Sequence, residues 1–392
     1  MHRSSRRLRL WDYFALEAVH AGSIVLFLLC AFFWAKGKFG YTDTENLLLA
    51  AANGLGYVIG AGLGGRIADR VGYDRTLAWC LAGMAAVMLL GWIPSWHYTP
   101  FVVVALYSLL FGPTWPAIEA AILRSAGSAS VPDRLGLFNV IWAFGDGVGF
   151  FLSGPLYDWQ PDSILWVPGA LHIAQWLWLK RPVRATMGNG TAASEVPHRG
   201  DSVARPVKRR FMHQAWLANG LATFMVGAFA ALTPQMGERL GLSASFAIWL
   251  ACALLFARGV AFLVLWKWTA WHYRAGWGYA AIWTAPLCLA VVFFSSSQLL
   301  IFGALSVFGA AIGLSYYASI YYSLDYGESS AEHGGFHEAV LGVGGFLGPL
   351  AAAGAAQIGG GARPAQWTVV VLCLVISGVG LGWVRRANAA RR

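Results

Sequence analysis

Twelve runs of apolar residues, most of them long enough for a helix to cross a bilayer, run almost end to end through this chain. A hydrocarbon layer takes about 20 residues of α-helix. Lipid offers no partner to a backbone N–H or C=O, so runs of this length are expected to be helical. The runs are 12–35, 45–65, 76–94, 99–123, 135–157, 162–179, 213–234, 243–266, 277–294, 298–322, 334–357 and 365–384. Composition agrees with a lipid-embedded chain: of 392 residues, 58% are hydrophobic and 12% charged, against about 25% charged in a soluble globular chain. The first run is too long for a signal peptide and continues straight into the chain, so no cleavage is expected.

The formal charge of +10 invites a nucleic-acid reading, but its distribution speaks for topology. Of 28 Lys and Arg, 23 fall in the segments on the side of the N-terminus, 4 on the other side, and Arg258 inside a run. Positive residues stay on the cytoplasmic face. An integral protein of the plasma (inner) membrane with both termini cytoplasmic is expected, with no nucleic-acid partner and as a monomer. The five cysteines stand singly inside apolar runs and read as packing residues.

The segment Lys180 to Arg210 is long, basic and rich in Gly, Pro, Ser and Ala, the composition of a flexible linker. It divides the chain into an N-terminal bundle, 1–179, a cytoplasmic linker, 180–212, and a C-terminal bundle, 213–392. The halves echo each other: Asn139 to Gly149 aligns with Glu338 to Gly348 at an offset of 199, and Arg66 with Lys267 at 201. Duplicated six-span halves with a site between them are a transporter architecture.

Between runs two and three stands Gly65-Arg-Ile-Ala-Asp69-Arg70-Val-Gly72-Tyr-Asp-Arg75. It resembles the loop 2–3 signature of the major facilitator superfamily, Gly-x-x-x-Asp-Arg-x-Gly-Arg-Arg. Tyr73 and Asp74 replace two basic residues of that pattern, and the corresponding loop of the second half has lost its Gly and Asp. The Gly-x-x-x-Gly-Pro pattern that many antiporters of the family carry in span five falls here in span eleven, at Gly344 to Pro349. The resemblance implies an all-α membrane fold of twelve transmembrane helices in two six-helix bundles around a central cavity. It also implies that spans five and eight are neighbours, and that span two lies beside span eleven when the cavity faces outward. On that basis a cytoplasmic gate is expected: Gly65, Arg66, Asp69, Arg70, Gly72 and Arg75 against Asp325, Glu328 and Glu332, which occupy the one cytoplasmic loop without Lys or Arg.

Ionisable residues inside spans are costly and tend to be functional. Glu17, His20, Glu119, Asp146, Arg258, His337 and Glu338 are the candidates; His172 reads as a satisfied packing histidine. At 1.5 Å per residue Asp146 lies about 17 Å into its span, where it needs a partner or a proton. Arg258 is the expected partner. Tyr13, Glu17 and His20 share one helix face. In span four, Phe111-Gly-Pro-Thr-Trp-Pro116 should kink the helix just ahead of Glu119. Trp115, Trp142 and the span-ten tyrosines Tyr316, Tyr317, Tyr321 and Tyr322 are candidates for an aromatic wall.

The expected function is secondary transport of a small organic solute by alternating access, coupled to protons, with no cofactor. Facilitated uptake of a sugar-like solute and a non-transporting scaffold or sensor are the alternatives. Few Asn and Gln in the spans argue against a sugar. No phosphate loop or nucleophile elbow is present, so neither ATP drive nor an enzyme is expected. His333 and His337 have a zinc-like spacing, but Gly334 stands where a zinc protease needs Glu, so no metal is expected.

Overall fold

A computed structural model describes residues 9–92, 96–124, 131–181, 203–326 and 330–389, without the side chains of 123–124, 131–132, 330–336 and 383–389. These residues form thirteen helices: α1 (Leu10–Phe39), α2 (Asp43–Val71), α3 (Tyr73–Leu90), α4 (Thr99–Phe111), α5 (Thr114–Arg124), α6 (Val131–Trp159), α7 (Ser163–Leu179), α8 (Arg205–Leu240), α9 (Ala244–Lys267), α10 (Ala275–Phe294), α11 (Gln298–Tyr326), α12 (Ser330–Gly359) and α13 (Ala362–Ala389).

Local chemistry sets the breaks between them. Gly40 ends α1 at φ 71, and Thr42 with Glu45 forms a capping box that starts α2. Gly72, at φ 94, turns α2 directly into α3, a backbone conformation that a side chain resists. Span four is broken rather than merely kinked. Pro113 has no N–H to donate, so α4 stops at Phe111 and α5 restarts at Thr114, whose hydroxyl donates to the Phe111 carbonyl at 2.5 Å.

Eleven elements among the described residues are long and apolar enough to cross a membrane, α4 and α5 counting as one. The twelfth expected span corresponds to α7, which at 17 residues is at the short limit for a layer of roughly 30 Å. Twelve spans are therefore not established by length. Helix α8 begins at Arg205, well before the expected start of span seven, because its basic first turns extend the helix beyond the apolar run. On α2, Leu55, Ile59, Leu63 and Ile67 are exposed at every fourth position, the lipid-facing stripe of a helix whose opposite face is buried.

Packing repeats between the halves. Helix α1 packs on α6 as α8 does on α12, α2 on α4 as α9 on α11, and α3 on α7 as α10 on α13. The repeat extends to single backbone contacts. A methyl group at Gly145 or Gly149 would strike the carbonyls of Ala18 or Gly22; one at Gly344 or Gly348 would strike those of Gly220 or Phe224. Close helix approach through small residues is how packing is gained where lipid supplies no hydrophobic drive. Between halves, α2 packs on α12 and α6 on α9.

Gly149→Ala should destabilise the protein by about 1–3 kcal/mol, because the new methyl meets backbone that has nowhere to go. Gly65→Ala, with nothing within 4 Å of the added carbon, should stay within about 0.5 kcal/mol. Thermal melting of the two variants in one detergent checks both.

Candidate functional site

Polar side chains from both halves meet at the centre of the helix assembly. Glu17 and His20 on α1 have no exposed surface, and Asp146 on α6, His337 and Glu338 on α12 have almost none. Here two hydrogen bonds between charged or phenolic side chains tie one half to the other. Arg258 on α9 donates to an Asp146 carboxylate oxygen at 2.5 Å. On the opposite seam Tyr57 on α2 donates to Glu338. The two donors occupy related places, since a methyl group at Gly112 would meet the Tyr57 carbonyl and one at Gly313 the Arg258 carbonyl.

Around these ties runs an aromatic belt. The Arg258 guanidinium lies 4.4 Å from the Trp142 ring centre, a cation–π contact. Trp142 stacks on Phe262 and leans on Tyr316 at 4.9 Å, while Trp115 meets both Trp142 and His20 edge-on. Tyr316 also meets His337 edge-on, and the His337 Nδ1 lies 2.8 Å from the Ser319 hydroxyl.

The His20 tautomer follows from its neighbour. The Thr114 hydroxyl spends its one proton on the Phe111 carbonyl, so it can only accept from His20 Nε2–H, at 2.7 Å. His20 Nδ1 then faces the Gln175 side chain as an acceptor. His172 is satisfied, as expected: its Nε2 pairs with the Tyr107 hydroxyl at 2.8 Å. Other groups are not satisfied. Both oxygens of Glu17, the second oxygen of Asp146, the Trp142 N–H and both amide atoms of Asn139 and Asn219 are buried without a hydrogen-bond partner. Glu119 is half-buried on α5.

Sequence reasoning missed Tyr57, Asn139, Asn219 and Thr114. The one available signal was position: Asn139 aligns with Glu338 between the halves.

Other expected site residues lie elsewhere. Tyr13 donates to Asp74 at 2.7 Å and ties the start of α1 to that of α3. The span-ten tyrosines do not form one wall, because residues adjacent on a helix point about 100° apart. Tyr316 faces the centre; Tyr317 contacts Phe262 and Trp271, Tyr321 stacks on His272, and Tyr322 accepts from the Tyr273 N–H.

Among the described residues no ion pair of the expected gate is formed. Arg66, Arg70 and Arg75 are exposed, with no ion pair among the described residues, and Asp69 accepts from Tyr73 on the next turn. Asp325 is held inside its own half, by Lys208 at 3.2 Å and by the Tyr273 hydroxyl. Burial and the Asp325 carboxylate together push the Tyr273 phenol well above its ordinary range. Glu328 and the Glu332 side chain lie outside the described residues. At the end remote from the termini, Lys36 of α1 bridges to Glu238 of α8 at 2.7 Å, so contact between the halves is made there.

An all-helical membrane assembly of two repeated halves, with polar ties across both seams, is the build of a secondary transporter. The sequence model of the Major Facilitator Superfamily matches residues 18–349, and the chain belongs to that superfamily. No sequence among curated proteins matches it. Among solved structures, it is similar to the nucleoside transporter NupG (TM-score 0.72, 12% identity, 95% of this chain and 98% of that one). A bacterial homologue of the human lysosomal transporter Spinster, inward-facing and unoccupied, gives TM-score 0.74 at 14% identity over 98% and 97% of the two chains. The human organic anion transporter MFSD10 (TETRAN) gives 0.64 at 15% identity over 94% and 97%. At these identities the likeness is one of fold.

Removing one partner of a buried ion pair typically costs about 3–5 kcal/mol, since the other charge is stranded. Asp146→Asn and Arg258→Gln should each destabilise on that scale. The double variant should lose clearly less than the sum of the two, measured as a thermal-denaturation cycle.

Proposed function

We propose that this protein moves a small organic solute across the membrane by alternating access, coupled to protons. The moving bodies are the N-terminal half, 1–179, and the C-terminal half, 213–392, joined by the linker between them. The reading places the chain in a plasma membrane as a monomer with both termini cytoplasmic, in keeping with the bias of its Lys and Arg. Only a differential interaction with two states can shift the balance between them. The observation that carries the reading is the Asp146–Arg258 pair, buried and strung between the halves, beside a Glu17 with no partner.

A carboxylate in this setting is stable only with a proton or a cation. Protonating Asp146 releases Arg258, and protonating Glu17 removes a stranded charge; either event changes the cost of separating the seam. In the Arg-bearing loop, Arg66, Arg70 and Arg75 remain candidates for contacts made in a second state, where α2 and α12 close at the cytoplasmic end.

Purified protein in liposomes, given a panel of labelled solutes with and without an imposed pH gradient, tests this. Gradient-driven accumulation of at least one solute is expected. Glu→Gln at whichever of Glu17 and Glu119 carries the proton should abolish accumulation while sparing exchange at saturating solute. Downhill flux indifferent to the gradient would favour facilitated uptake, and no flux of any solute would favour a scaffold or sensor.

A further inference from the structure

The unfilled hydrogen-bonding capacity of the centre is weighted towards acid. Glu17 offers two bare oxygens and Asp146 one, all buried. Asn139 and Asn219 can serve either way, and the bare donors are the Trp142 N–H and the Arg258 Nε–H. Glu17, Glu119, Asp146 and Glu338 are set against a single guanidinium, that of Arg258. Buried acceptors without donors are costly, and stranded carboxylates more so. The ligand that offsets them brings donors and positive charge.

Its size follows from a second observation. Among the described residues no three carboxylate, imidazole or thiol groups come close enough to hold a metal ion. The acids stand on four different helices, α1, α5, α6 and α12, which suits an extended organic cation.

Arg258 shows what kind of cation this environment holds. Its flat guanidinium lies between the Asp146 carboxylate at 2.5 Å and the face of Trp142 at 4.4 Å. A second indole, Trp115, stands beside Trp142 at 5.6 Å. Trp115 meets His20 at 5.4 Å, about one turn from Glu17 on α1, and Glu119 follows Trp115 by one turn on α5.

We propose that the centre binds an organic cation: a small, flat body carrying a protonated amine or guanidine, with Glu17 as its counter-ion and Trp115 packed against it. This rests on reading the centre as the solute site. Glu17 then sets specificity, since it rewards a charged donor and leaves an anion with nothing but repulsion.

Three probes of one shape separate charge from bulk: phenethylamine, its N-acetyl derivative and 3-phenylpropionate, titrated calorimetrically into the full-length protein. Phenethylamine should bind at least tenfold more tightly than either of the others. Glu17→Gln should weaken it at least tenfold, and Glu119→Gln by a few-fold, which keeps the test alive if the first variant does not fold. Equal or tighter binding of the amide or the acid, binding of none of the three, or full amine affinity in both folded variants overturns the assignment. Flux in liposomes separates this from the transport reading. Amine binding with no flux under any gradient upholds the cation and sinks the transport reading. Gradient-driven flux confined to neutral or acidic solutes does the reverse.

Discussion

Everything in this molecule turns on the cost of a charge away from water. Asp146 and Arg258 sit on different halves, each nearly without solvent, and each is tolerable only because of the other. The Trp142 face and the Phe262 and Tyr316 rings that support it complete the enclosure. A tie of this kind adds little net stability over an apolar seam, because desolvation offsets most of the attraction. What it adds is dependence: the seam cannot part without water, a proton or a ligand taking the place of the lost partner. That is the property the proposed alternating access calls for.

The repeat explains why there are two such ties. Helices α2 and α9 hold equivalent places, as do α6 and α12, so the α2–α12 and α6–α9 seams are two copies of one contact. Each copy has put a donor on α2 or its equivalent α9 and an acid on α12 or its equivalent α6: Tyr57 with Glu338, and Arg258 with Asp146. The copies differ in charge. A phenol releases a carboxylate at lower cost than a guanidinium does, so the two seams need not part with equal ease. The close glycine crossings of α1 with α6 and α8 with α12 make each half stiff enough for events at a seam to be felt at its far end.

Much of the fold was legible because the bilayer permits few solutions. Apolar length located the helices, and the break at Pro113 fell where the prolines foretold a kink. Span counting stumbled where length was marginal, at α7, and one span start was set too late where basic residues extend a helix beyond its apolar run, at α8. Asp146 and Arg258 stood out as charges in apolar sequence. Tyr57, Asn139 and Asn219 did not, because an uncharged polar residue in a span is ordinary and its weight depends on which way its helix face turns. Tyr13 and Tyr317 went astray for that same reason. The latch was read from loop charges alone, and those charges say which residues can pair but not in which conformation. Here Asp325 has found Lys208 and Tyr273 within its own half.

The central claim is that the Asp146–Arg258 tie governs how the halves stand relative to each other. Spin labels at Arg75→Cys and Thr269→Cys, both exposed positions on the face that carries the termini and on opposite halves, report that directly in a cysteine-free background. Distance distributions from folded protein in nanodiscs, with and without Arg258→Gln, are the measurement. The account predicts a shift in population, with separations rare in the parent becoming common once the guanidinium is gone. Identical distributions would contradict it, leaving the pair as packing between two bodies held together by something else.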